Sequence, residues 1–182
     1  MSSGISSWLL ESRRRKVGEA VRGRVLDVGF GTGISQRFYP TGVRVVGIDA
    51  SRGMLEVARR SRATADLAVM DAERLAFADQ TFDSVAFNLC LCTIPDPERA
   101  VREGVRVARP GAPMVFLEHV RSHVLPVALV QEALNPILVA WQADHFNRRT
   151  EDVVRHAGVE VLSVERWLVG IFTLIIGRTP AV

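Results

Sequence analysis

An apolar run carrying one acid, Val25-Leu26-Asp27-Val28, leads into Gly29-Phe30-Gly31-Thr32-Gly33, and a second run, Val45-Val46-Gly47-Ile48, ends in Asp49. Few patterns constrain a chain more. Continuous β-branched and aliphatic residues form a strand buried on both faces, the habit of parallel sheets covered by helices. Three glycines after such a strand let the backbone approach a ligand, and a carboxylate ending the next strand can accept from two ribose hydroxyls. Together they describe half of a nucleotide-type cofactor site; the alternative for Asp49 is a turn residue before a helix.

The glycine spacing selects among cofactors. A dinucleotide fingerprint is G-x-G-x-x-G, whereas here the third glycine falls one position early and Ile34 takes the expected place. Asp27 points the same way, because a carboxylate there repels a pyrophosphate and suits a cationic ammonium. A nicotinamide-dependent oxidoreductase is therefore disfavoured.

Strands are expected at 24–28, 43–48, 67–70, 84–88 and 113–118. Helices alternate with them: 5–21, capped by Ser3 or Ser6 and stopped by Gly23, one starting at 34–38, and 51–62 and 97–108. The runs 159–164 and 172–178 are too close for a crossover helix and must pair antiparallel. The fold class that follows is α/β, a Rossmann-like doubly wound seven-stranded sheet, mostly parallel with one antiparallel C-terminal strand. All 182 residues fit one domain, with 1–23 as an N-terminal helix and 120–150 as a lid or acceptor-side insertion. Within it, 123–141 approaches the length of a membrane span, but Pro126, Gln131, Glu132, Asn135 and Pro136 interrupt it, so a lid or a helical pair is expected.

The net charge of +3 is scattered, and no aromatics interleave with the basic residues, so nucleic acid is not an expected partner. The block Arg13-Arg14-Arg15-Lys16 reads as a solvated helix face, or as contact with an anionic membrane or an acidic substrate. Cys90 and Cys92 should share one face of a strand, where a bridge is sterically poor. Free thiols and the lack of an export signal point to the cytoplasm, and the two cysteines with four histidines match no zinc spacing, so no metal is expected.

The glycine loop, Gly47-Ile48-Asp49-Ala50-Ser51 with Met54-Leu55, Met70-Asp71-Ala72-Glu73, the run Thr81 to Val85, and Val105 to Gly111 together resemble the class I S-adenosylmethionine-dependent methyltransferases. Phe30 departs from the small residue or cysteine usual there, and Ala112-Pro113 from a common second glycine. The resemblance implies S-adenosyl-L-methionine as cofactor. It places Gly29, Gly31, Thr32 and Gly33 by the methionine portion, with Asp27 and Asn88 nearby, and Asp49 and Ala50 at the ribose. Met54 would cover the adenine and Asp71 with Ala72 would read its amine, unless Met54 is core filler and Asp71 a turn acid.

Phe116-Leu117-Glu118-His119-Val120, Trp141, and Asp144-His145-Phe146-Asn147-Arg148 are similar to a subgroup that includes membrane-associated alkyl thiol S-methyltransferases and bacterial relatives acting on lipid-like acceptors. On that likeness His119 and His145 are the catalytic candidates on the acceptor side, as bases or as structural histidines. The implied reaction is methyl transfer to a small apolar thiol, amine or quinone, by a monomer or homodimer with peripheral membrane contact. A noncatalytic cofactor-binding regulator is the alternative. The acceptor entrance is expected between Trp8, Leu9 and Leu10 and the apolar residues Val124, Leu125, Val127, Leu129 and Val130.

Overall fold

The computed structural model describes residues 4–61, 63–142, 145 and 147–181, with backbone alone for 4–9 and 137–142. One sheet holds β1 (Arg24–Val28), β2 (Arg44–Asp49), β3 (Asp66–Val69), β4 (Ser84–Asn88), β5 (Pro113–His119), β6 (Glu160–Trp167) and β7 (Phe172–Arg178). Its order is β3-β2-β1-β4-β5-β7-β6. The first five strands pair in parallel, and β7 runs antiparallel to both β5 and β6. The chain leaves β1 for β2 and β3 on one side and returns to β4 on the other. The order therefore reverses beside β1, and the carboxyl ends of β1 and β4 open the crevice in which ligands of such sheets bind.

Helices α1 (Gly4–Ala20) and α2 (Arg52–Arg60) cover one face, while α3 (Pro97–Val107) and α5 (Thr150–His156) cover the other. Val17 of α1 and Val21 beyond it pack on Val25, Ala86, Val115 and Leu117. Leu26, Phe87 and Phe116 point oppositely, into a core shared with Ala100, Val101 and Val154. Phe87 and Phe116 are fully buried and stacked at 5.1 Å; truncating either to alanine would cost about 3–5 kcal/mol. Asp96 caps α3 by accepting from the Arg99 N–H at 2.9 Å, and Pro97 supplies its first turn.

Four expectations need correction. The segment after the glycine loop is only a 3-10 turn, Ser35–Phe38, because Pro40 holds Tyr39 in extended backbone (φ −74°, ψ 144°) and stops propagation. The 123–141 stretch forms one helix, α4 (Leu125–Gln142), with Pro136 inside it, in place of a helical pair. Pro126 suits a first turn, and an internal proline removes one backbone bond without ending a helix whose other turns persist. β4 ends at Asn88, so Cys90 and Cys92 lie in the following turn, both buried, and share no strand face. The basic block is also more than a solvated face: Lys16 pairs with Glu165 at 2.6 Å and Arg13 lies 4.8 Å over the Trp167 ring.

Element ends otherwise shift by a residue or two, as with β2, β3 and α2, whose N-cap Ser51 accepts from the Met54 N–H. Ser6 lies inside α1 and so does not cap it. Ser3, Arg62, Asp144 and Phe146, and the side chains of Trp8, Leu9 and Trp141, lie outside the described residues.

Candidate active site

The glycine loop is built by contacts beneath it. Gly29, Gly31 and Gly33 have φ of +70°, +56° and +80°, values that side-chain-bearing residues rarely adopt. A Cβ on Gly29 would sit 2.2 Å from that of Cys90, so backbone and β4 turn are in direct contact. Phe30, the departure from the usual loop, is the loop's anchor. Its ring fills the space left by Gly47, where a Cβ would fall 2.5 Å from it, and packs with Leu55 and Ala58. By contrast, a Cβ on Gly31 meets nothing nearer than 3.9 Å, so the space over that backbone is open to a ligand.

Asp49 fastens the loop to β2. Its Oδ2 accepts from the Gly31 N–H at 2.9 Å and its Oδ1 from the Ser51 N–H at 2.8 Å. A carboxylate has about four lone-pair sites, so each oxygen keeps one for a ligand hydroxyl. Two cavities meet at this residue. The larger, of about 380 Å³, is lined by Gly29, Gly31, Thr32, Met54 and Asn88, with Arg14, Leu89 and Leu117 on its far walls. The smaller, of about 160 Å³, is lined by Ala50, Asp71 and Ala72 together with Ile48, Met70 and Ile94. Gly29, Asp49, Cys90 and Thr93 border both.

Eight of the expected cofactor residues beyond Asp49 thus border one cavity or the other. Gly33 and Asp27 do not. Gly33 closes the loop by donating its N–H to the Phe30 carbonyl at 3.0 Å. Asp27 lies wholly buried in β1, accepting from the Tyr39 hydroxyl at 2.8 Å and the Asn88 amide at 2.9 Å. Burial pushes its pKa up to about 6, against the opposing pull of the Asn88 and Tyr39 hydrogen bonds. Asp27 therefore bears on the cavity through Asn88, which borders it.

The two histidines stand apart from both cavities. His119 ends β5, is buried, and meets the Phe172 ring edge-on at 6.4 Å. The His145 N–H donates to the Cys92 carbonyl at 3.1 Å, which sets it against the turn after β4. The two apolar elements expected to frame the entrance contribute unequally, since Arg14 of α1 borders the larger cavity and no described residue of α4 does.

Arg14 escaped the sequence reading because nothing in a basic run marks the one member that turns inward. Burial, then the neighbouring Arg37, hold its pKa below the ordinary guanidinium value. The bond from Tyr39 to Asp27 joins residues that no local pattern pairs. Glu118 offered a signal that went unused: a carboxylate inside an apolar strand must find donors.

Residues 26–116 match the model of the methyltransferase domain family. The chain belongs to that family. It is 39% identical over 145 residues to a phosphatidylethanolamine N-methyltransferase of Cereibacter sphaeroides, a match covering 74% of this chain and 71% of that protein. With a demethylmenaquinone methyltransferase of Renibacterium salmoninarum it shares 42% identity over 103 residues, covering 56% of this chain and 44% of the relative, so it spans under half of that protein. A solved S-adenosylmethionine-dependent methyltransferase of Methanosarcina mazei has the same fold, with a TM-score of 0.74 at 21% identity, covering 92% of this chain and 98% of that one.

The cofactor of this methyltransferase is S-adenosylmethionine, and the cavity residues fit it. Asp49, a carboxylate with spare lone pairs able to accept from hydroxyls, stands between an open glycine backbone and a narrower, partly apolar slot.

Proposed function

We propose that this methyltransferase acts on a lipid or quinone-like acceptor whose apolar body enters the larger cavity. The carrying observation is that cavity's lining, where Ile34, Leu89 and Leu117 offer apolar contact and Asp49 is the one bordering carboxylate among the described residues. The relatives' names point the same way, since each denotes action on a membrane-borne molecule. In this reading Asp49 and Ala50 hold the ribose, Asp71 and Ala72 the adenine with Met54 against it, and the glycine loop with Thr32 and Asn88 the amino-acid portion. Asp27 supplies negative charge from behind, and residues 120–150 form the acceptor side of the domain. The bound cofactor supplies an electrophilic methyl on a good leaving group. The chain has then only to orient the acceptor and exclude water, and orientation alone can contribute roughly 7–11 kcal/mol. A base is needed only for an acceptor that arrives protonated, and His119 or His145, which border neither cavity, would serve only if the acceptor reaches beyond the larger one.

Peripheral membrane contact belongs to the same reading. Leu125, Leu129, Val130 and Leu134 of α4 are each about half exposed, as are Leu168 and Val169 in the β6–β7 turn. The two groups adjoin, because the Ser122 hydroxyl, just before α4, donates to the Val169 carbonyl. They lie at the carboxyl end of β5, the edge on which the cavity opens. Among the described residues no helix is long and apolar enough to cross a membrane. The test is methyl transfer from labelled cofactor to phosphatidylethanolamine vesicles, a demethylated quinone, alkyl thiols and hydrophilic catechols. Transfer to the vesicles or the quinone is expected to dominate; faster methylation of catechols would sink the proposal.

A further inference from the structure

The turn after β4 borders both cavities through Cys90 and Thr93, yet two of the residues that hold it, Glu118 and Arg148, border neither. It begins with Leu89 at φ +54°, a left-handed conformation that a leucine rarely adopts. The Leu89 N–H donates to the Leu117 carbonyl at 2.7 Å, and the next two N–H groups, of Cys90 and Leu91, both donate to Glu118 Oε1 at 3.0 and 3.1 Å. Glu118 is fully buried in β5. From the other side Arg148 donates to the carbonyls of Leu91 and, at 2.6 Å, Ile94. Leu91 is thus gripped at its N–H by an acid and at its carbonyl by a guanidinium.

We propose that Glu118 and Arg148 are positioning residues for methyl transfer, a two-sided clip that holds the 89–94 turn in the conformation shaping the acceptor side of the cavity. The physical case is that a left-handed leucine persists only where its surroundings over-determine it, and such strain gathers at functional sites. Two consecutive N–H groups facing one carboxylate supply part of that over-determination, and Arg148 Nη1, donating to two carbonyls of the same turn, supplies the rest. The inference rests on methyl transfer at this cavity, and it does not depend on which acceptor is used.

Glu118→Gln, Glu118→Ala and Arg148→Met test it. Glutamine keeps one oxygen able to accept both N–H bonds, alanine keeps none, and methionine keeps an apolar stem without any donor. On the acceptor that the unmodified enzyme methylates fastest, kcat should fall in the order Gln, then Ala. The alanine variant should lose about 100-fold, the scale of a 1 Å misplacement. Affinity for the demethylated cofactor product should fall far less than kcat. Amide exchange at Cys90 and Leu91 should quicken by about tenfold in Glu118→Ala, and by less in Glu118→Gln, while β4 and β5 stay protected. Arg148→Met should lower kcat with affinity again the less affected. Unchanged kcat in Arg148→Met, or in a folded Glu118→Ala, would overturn the proposal. So would unchanged exchange at the two amides, or protection lost evenly through β4 and β5, which would mark Glu118 as merely structural. If Glu118→Ala does not fold, the other two variants decide. The exchange measurement needs no acceptor, so failure of the whole acceptor panel would refute the acceptor reading and leave the clip still tested.

Discussion

Asp49 holds two jobs that substitution can separate. Its carboxylate accepts from the Gly31 and Ser51 N–H groups and, in the proposed binding mode, keeps a lone pair on each oxygen for the ribose. Asp49→Ala removes all of these acceptors. Loss of charge-assisted bonds to two hydroxyls should weaken cofactor binding by roughly 2–4 kcal/mol, or about 30- to 1000-fold. Asp49→Asn is the sharper test. Asparagine has one acceptor oxygen, which will turn to the part-buried Gly31 N–H and leave its NH₂ facing the exposed Ser51 N–H. One donor loses its partner beside water, at the low end of the cost of an unmet group, about 1 kcal/mol. For a chain of 182 residues that is a fall of about 2–4 °C in Tm without cofactor. Titration calorimetry with S-adenosylmethionine, beside thermal melts of the free proteins, separates the two effects. An Asp49→Ala protein with undiminished affinity would place the ribose elsewhere. An Asp49→Asn protein melting with the parent would show that the Ser51 bond carries no weight.

The remaining expectations concern charge, space and base. Asp27 has its folded pKa raised from 3.8 to about 6, so folding takes up a proton between those values and this group's contribution to stability grows as pH falls through 6, being complete below 3.8. Cofactor affinity should move the opposite way, weakening below pH 6 as the negative charge is lost, and Asp27→Asn should flatten that profile. Tyr39→Phe removes a hydrogen bond that lowers the Asp27 pKa, so the midpoint should move upward; a fixed midpoint in calorimetric titrations would refute the pairing. Gly31→Val should abolish cofactor binding with circular dichroism unchanged in the far ultraviolet, since valine is strained at φ +56° and enters the open space above the loop. If His119 or His145 is a base, its alanine variant should lose turnover by at least about tenfold at neutral pH and recover as pH rises; unchanged turnover in both would leave orientation as the whole mechanism.

The parts of the fold that depend on unbroken local signals were readable from residue order. Val25 to Val28 announces a central strand because burial on both faces forbids alternation, and two β-rich runs without room for a helix had to lie antiparallel. Signals arising from competition were read less well. Pro40 acts on the residue before it, and so cut a helix to a 3-10 turn, while Pro136 failed to break a helix that it ordinarily would. In the site, residues of the glycine loop and strand ends were legible because each sits at the end of its own element. Arg14, Tyr39 and Glu118 were not, since their importance comes from contacts across 12 to 49 residues of chain, which only the folded sheet creates.

Phe30 beneath the loop carries a consequence for turnover. With its ring wedged against Gly47 and its neighbours tied to Asp49, the glycine loop is held by the protein's own contacts, so in the proposed binding mode a ligand should find little left to order. A rigid cradle of this kind grips whatever shares the nucleoside and amino-acid portions. Spent cofactor shares both and lacks only a methyl group and one positive charge. The same preorganisation that would capture fresh cofactor should retain the spent form as well, so inhibition by the by-product and turnover limited by its departure are the expected outcome.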